Sequence, residues 1–150
     1  DHLYDSDFHL NALEYRRRRL TFSVASRIQK YTKKGIPSYQ AFLKVQTHLV
    51  ELGKAYSEEL SYKAFIEFTK TIQSNELKFL FDKLGTLFAL SEIHDNAAWY
   101  LEQGYIGAAK SKAIRNRVER LCSELRPHVD TLVDGFGIPK SCIHTPITPI

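Results

Sequence analysis

Apolar residues in this chain recur at steps of three and four over long stretches, and nowhere do they alternate in twos for long enough to make a strand. That periodicity confines the fold to helices. The stretches are separated by short clusters of turn-forming residues: Gly35-Ile36-Pro37, Gln73-Ser74-Asn75 and Gly104-Tyr105-Ile106-Gly107, with everything after Gly135 irregular. The first helix opens at Ser6, a predicted N-cap, and carries Leu10, Leu13, Leu20, Val24, Ile28 and Tyr31 on one face. Gly35 predicts a left-handed C-terminal cap, and Pro37 forbids continuation. Ser38 then caps a second helix bearing Phe42, Val45, Leu49, Leu52 and Tyr56, running on past Phe65 and Ile66.

A third helix begins near Asn75. Its stretch LKFLFDKLGTLFAL, Leu77 to Leu90, is apolar around most of its circumference and is predicted to be the most buried element. Gly85 in its middle costs about 1 kcal/mol relative to alanine, unless a neighbour packs too closely for a side chain. In the fourth, Ile114, Val118, Leu121, Leu125, Val129, Leu132 and Phe136 keep one phase across Pro127, which predicts a single helix kinked there. Long antiparallel helices with short connections make an up-and-down four-helix bundle. The expectation is an all-α single domain over residues 1–150 with an irregular C-terminal tail.

The composition narrows the function classes. A chain of 150 residues can bury about 70% of its unfolded surface. A net charge of +4 arises from 21 basic and 17 acidic side chains, so acids are interspersed among the bases and the surface is only mildly basic. No apolar run approaches the roughly 18 residues of a membrane span, and no membrane partner is expected. Cys122 and Cys142 have no metal-ligand spacing and are expected to be reduced thiols of an intracellular protein. The chain begins at Asp1 and contains no methionine, as a fragment or processed piece would.

Four consecutive arginines, Arg16 to Arg19, raise the question of a polyanion partner. On a helix they rotate by about 100° each and cannot form one phosphate-facing row. Arg17 falls inside the apolar stripe and Arg19 between Tyr15 and Phe22. Both are expected to pair with carboxylates in an interface, with Arg16 and Arg18 reaching water. Structural duty outweighs nucleic-acid binding, and no nucleic acid is expected as a partner. His94-Asp95, with Glu92 and Glu102 nearby in sequence, is the nearest approach to an acid–base or metal pair, but no second ligand cluster faces it. A hydrogen-bonded histidine on a helix face is the stronger reading. His9, His48 and His128 stand alone. Cys122 sits beside Leu121 and Leu125 as a core thiol, Trp99-Tyr100 reads as core or interface, and Gly104 and Gly107 do not make a phosphate loop.

The stretch LCSELRPHVDTLVDGFGIPKSCIHTPI, Leu121 to Ile147, resembles the C-terminal segment of the flavin-dependent acyl-CoA oxidases. LGTLFALSEIHDNAAWYLEQGYI, KSKAIRNRVERLC, FHLNALEYRRRRLTFSVASRIQK and AFLKVQTHLVELGKAYSEE are similar to other parts of that family's helical region, so the resemblance covers nearly all of the chain. It implies the last of four domains, after an N-terminal helical domain, a β-domain and a helical domain that helps hold FAD. Acyl-CoA dehydrogenases share the first three and generally lack this one. The family converts acyl-CoA to trans-2-enoyl-CoA and passes the electrons through FAD to oxygen, giving hydrogen peroxide. Its catalytic glutamate lies in the preceding domain. The resemblance therefore assigns no catalytic, cofactor-binding or metal residue here, and implies a scaffold in a homodimeric enzyme, inactive by itself. No family motif places Arg16 to Arg19 on CoA. Lys140 stands where an acidic residue is expected. The chain ends Ile147-Thr148-Pro149-Ile150, without a Ser-Lys-Leu-like address. Either the source is bacterial, which is favoured and implies the cytoplasm, or the true C-terminus lies beyond Ile150, with the peroxisome as the expectation for a eukaryote. The alternative is a free-standing helical bundle that binds a protein or, through its basic first helix, nucleic acid. A dinuclear metal bundle would need Glu-x-x-His pairs on facing helices, and none occurs in the sequence.

Overall fold

A computed structural model describes residues 2–139 and 142. Lys140, residues 147–150 and most of the expected irregular tail lie outside the described residues. The helices are α1 (Ser6–Lys33), α2 (Ser38–Lys44), α3 (Gln46–Lys70), α4 (Asn75–Asp95), α5 (Ala97–Glu102), α6 (Ala108–Leu125) and α7 (Val129–Asp134). Single 3-10 turns occupy His2–Tyr4 and Arg126–His128, and there is no strand among the described residues.

Side-chain contacts set the directions of the four long helices. His9 meets Tyr62 and Arg16 meets Glu58, so α1 and α3 run antiparallel. Tyr62 stacks with Phe88, and Phe65 with Phe81, so α3 and α4 do too. Lys83 near the start of α4 reaches Glu124 near the end of α6. The all-α expectation holds. The main core joins Phe8 and Ala12 of α1, Leu90 and Ile93 of α4, Tyr100 of α5 and Ile114 and Leu121 of α6. A second cluster of Leu13, Tyr62 and Ala89 fills the space between α1, α3 and α4.

The local chemistry departs from the sequence expectations at the starts of α1 and α2 and at three interior points. Asp5, not Ser6, caps α1, its carboxylate accepting from the Asp7 N–H at 2.9 Å. Pro37 precedes α2, so Ser38 is the first helical residue and makes no cap. α4 begins at Asn75 as expected, and Ser74 caps it, accepting from Leu77 N–H. Gly35, at φ +81, ends α1 as expected: its N–H bonds Thr32 O while the Ile36 N–H bonds Tyr31 O, the two-bond closure that a left-handed residue permits.

The second helix is not continuous. Val45 (φ −107, ψ 9) bonds back to Phe42 O instead of one residue earlier, separating α2 from α3. The break seats Val45 fully in the interior and turns Phe42 out to 48% exposure. A similar break at Asn96 divides α4 from α5, and there the side-chain amide donates to Glu92 O beside the backbone N–H. Around Pro127 the α-helix stops at Leu125 and passes through a 3-10 turn at Arg126–His128 into α7. The apolar stripe loses its cover there: Leu125 is 4% exposed, whereas Val129 and Phe136 are 47% and 77% exposed. α4 is central from Leu80 onward, yet its first turn leaves Phe79 exposed, so the burial expected over Leu77–Leu90 holds for its later part.

Candidate functional site

The strongest concentration of chemistry lies where α1, α3 and α4 meet. The buried residues of α1 are Phe8, His9, Ala12, Leu13, Arg16 and Val24; Leu13 and Val24 belong to the stripe read from its large apolar residues, while its N-terminal half turns His9, Ala12 and Arg16 inward beside them. Arg16 is therefore inside, and the expectation that it reaches water is wrong. Its Nη1 donates to Glu58 at 2.6 Å and its Nη2 to Glu51 at 3.1 Å, with the arginine only 3% exposed. Glu92 of α4 approaches Glu58. Burial, then the Glu58 charge and a hydrogen bond with that carboxyl, push the Glu92 pKa up, against the smaller pull of Arg16. The cluster is one guanidinium among carboxyl groups, of which Glu92 favours holding its proton.

One turn along, Arg17 pairs with the buried Glu59, and Lys63 donates to both Glu14 and Glu59 at 2.8 Å. Burial pushes the Glu59 carboxyl up, but bonds from Lys63 and Arg17 outweigh it and hold the group below its ordinary value. The same contacts, from Glu14 first, raise the Lys63 pKa. Arg18 is exposed, as expected, and stands 3.7 Å from Glu14. Arg19 finds no carboxylate: its guanidinium donates to the amide oxygen of Gln103 at 3.0 and 3.3 Å. Two of the four arginines thus tie α1 to α3, and a third reaches the residue after α5.

His9, which stands alone in the sequence, is fully buried and hydrogen-bonded twice at 2.8 Å, to Tyr62 and to Leu3 O. A carbonyl only accepts, so Nε2–H donates to Leu3 and Nδ1 accepts the Tyr62 proton. Burial lowers the His9 pKa and raises that of Tyr62, keeping both groups neutral. His94 is not the hydrogen-bonded histidine expected: its Nδ1 is buried without a partner. Asp95 and Glu102 are exposed on different helices, so the structure does not assemble the His94 pair into a site. Cys122 is exposed instead of packed in the core, and Cys142 is exposed as well. Tyr100 is fully buried and donates to Ala12 O at 3.0 Å, while Trp99 packs edge-on against Tyr15. Among the described residues no group of three or more His, Cys, Asp or Glu side chains could hold a metal, and no helix is long and apolar enough to cross a membrane.

Two grooves of about 630 and 540 Å³ open onto solvent. The first lies between α3 and α4, with Phe65, Phe81 and Gly85 on its walls; the second lies beside α1, between Arg27 and Trp99. Neither fits a flavin. A flavin ring needs an enclosed slot with aimed polar groups, and the buried polar atoms without partners, Arg16 Nε and His94 Nδ1, line neither groove.

The family model described as Acyl-CoA oxidase matches residues 5–148. The peroxisomal acyl-coenzyme A oxidase 2 of Arabidopsis thaliana is 32% identical over 147 residues, which cover 98% of this chain and 21% of that protein. The crystal structure of acyl-CoA oxidase 3 from Yarrowia lipolytica superimposes with a TM-score of 0.86 at 23% identity, over 97% of this chain and 21% of that one. An acyl-CoA oxidase-2 of Caenorhabditis elegans, solved with FAD, ascaroside-CoA and ATP, gives 0.81 at 21% identity, over 87% of this chain and 19% of that one. The chain spans about a fifth of the length of these relatives. A family match running through all of its long helices makes this chain a member of the acyl-CoA oxidase family.

Proposed function

We propose that this chain is the C-terminal helical domain of an acyl-CoA oxidase and that it acts as scaffold, without a catalytic group of its own. The observation that carries the reading is a family match over residues 5–148 in a chain that spans about a fifth of its relatives. The buried chemistry agrees with it: Arg16, Arg17 and Lys63 are engaged in holding α1 to α3 and present no open reaction centre. In the whole enzyme, acyl-CoA loses two hydrogens to give trans-2-enoyl-CoA and oxygen is reduced to hydrogen peroxide, with FAD relaying the electrons from sites in the preceding domains. The partners are those domains of the same polypeptide and a second subunit of a homodimer. In a eukaryote the enzyme works in the peroxisome, a reading supported by the peroxisomal relative from Arabidopsis; in a bacterium it works in the cytoplasm.

The test is to express the complete coding region and supply acyl-CoA and oxygen. Equal amounts of trans-2-enoyl-CoA and peroxide are expected. A complete protein that carries no flavin and releases no peroxide would overturn the reading and favour a free-standing interaction module.

A further inference from the structure

α3 is apolar on two opposite faces. Its inner face packs on α1 and α4 through Ala55, Tyr62 and Ile66. Opposite lies a second stripe of Val50, Gly53, Tyr56, Leu60, Ala64 and Phe68, within about a third of the circumference at 100° per residue. Its four large members are 54–57% exposed. The outer helix of a free-standing bundle carries charge on this side. On α3, Glu51, Glu58, Glu59 and Lys63 are instead directed to α1, and the first charged residue in the outer arc is Glu67, next to Phe68 and paired with Lys70.

The exposed parts of the two rings and the two aliphatic side chains amount to about 400 Å². That is in the range of the largest apolar patch on a monomer but about half of what each partner contributes to a stable free complex. A tethered neighbour needs less, because the tether supplies effective concentration. About four-fifths of the length of the relatives lies outside this chain. Gly53 and Ala64 leave shallow places along a ridge about 27 Å long, into which side chains of a helix laid alongside would fit.

We propose that the outer face of α3 seats a helical surface from the part of the oxidase polypeptide beyond this segment. This rests on reading the chain as one domain of such an enzyme. The experiment is hydroxyl-radical footprinting of the complete enzyme at Tyr56 and Phe68, over a range of concentrations, with the urea-unfolded chain as reference. Left uncovered, the rings would react about half as fast as in the unfolded chain, in line with their 57% and 54% exposure. Covered by a tethered neighbour, they react many times more slowly at every concentration. Leu60→Glu, at a side chain that is 54% exposed and belongs to neither core cluster, restores their reactivity without loss of helical circular dichroism. Protection that appears only as copies associate would assign the face to a second copy and overturn the proposal, and so would half-exposed reactivity throughout. Peroxide release from acyl-CoA by the same preparation reports separately on the oxidase reading.

Discussion

Replacing Arg16 with methionine keeps most of the side-chain volume and removes the cation that faces Glu58 and Glu92. Glu58, at 15% side-chain exposure, loses its 2.6 Å bond, and the carboxyl pair is left with no opposing charge at that point. The Glu51 arm contributes little, because that carboxylate is 45% exposed and water replaces the lost contact. Removing one side of a buried ion pair costs about 3–5 kcal/mol. With one arm buried and one wet, the lower end, about 3 kcal/mol, is expected at pH 7. For a chain of this length that is a fall in Tm of roughly 6–12 °C. The loss must also depend on pH. Without the guanidinium, Glu92 loses the cation that lowers its already raised pKa, so it holds its proton more tightly in the folded protein than in the unfolded chain and the variant loses stability as pH rises. Urea unfolding followed by circular dichroism at pH 5 and pH 7 is the assay. The deficit is expected to be clearly larger at pH 7, and Glu58→Met added to Arg16→Met is expected to recover part of it. A deficit below about 1 kcal/mol, or the same deficit at both pH values, would refute the assignment of Arg16 as the buried counter-ion.

Three further outcomes follow from particular contacts. Gly85→Ala gains about 1 kcal/mol of helix propensity, but its Cβ would lie 3.0 and 3.2 Å from ring atoms of Phe65; a net loss is expected in thermal unfolding, relieved when Phe65→Leu is added. Glu92→Gln removes a group whose folded pKa lies above its ordinary 4.5, so the fall in stability as pH rises from 4.5 through the folded value should flatten in unfolding curves taken across that range. His9, held below 6.5 by burial, gives stability that is complete above 6.5 and is lost as pH falls through the folded value; its ring protons should show a midpoint below 6.5 by NMR, and Tyr62→Phe should cost about 1–2 kcal/mol by leaving Nδ1 unpaired.

The long helices were legible because packing one face of a helix imposes a period that large apolar side chains record. Ile114, Leu121 and Leu125 lie where that period puts them. The breaks at Val45 and Asn96 were not legible: neither place carries glycine or proline, and the chain bends to fit its neighbours. The inner face of α1 was legible only in part: Leu13 and Val24 of the expected stripe are buried, but other members of the face are small or polar. Ala12, His9 and Arg16 carry no apolar signal, whereas Leu10 and Leu20 on the flank do. One signal could have located the ion cluster. Glu51, Glu58 and Glu59 fall seven and eight residues apart on the neighbouring helix, an acidic line able to face the arginine run. The His9–Tyr62 bond joins residues 53 apart and left no mark in the sequence.

The central claim, that this segment is scaffold and not a flavin site, is tested most directly by titrating the 150-residue chain with FAD and following flavin fluorescence and peroxide release with acyl-CoA. The account predicts no binding and no peroxide from the segment, beside a flavin-loaded complete enzyme that makes peroxide. Saturable flavin binding by the segment alone, abolished by a substitution in either groove, would contradict it.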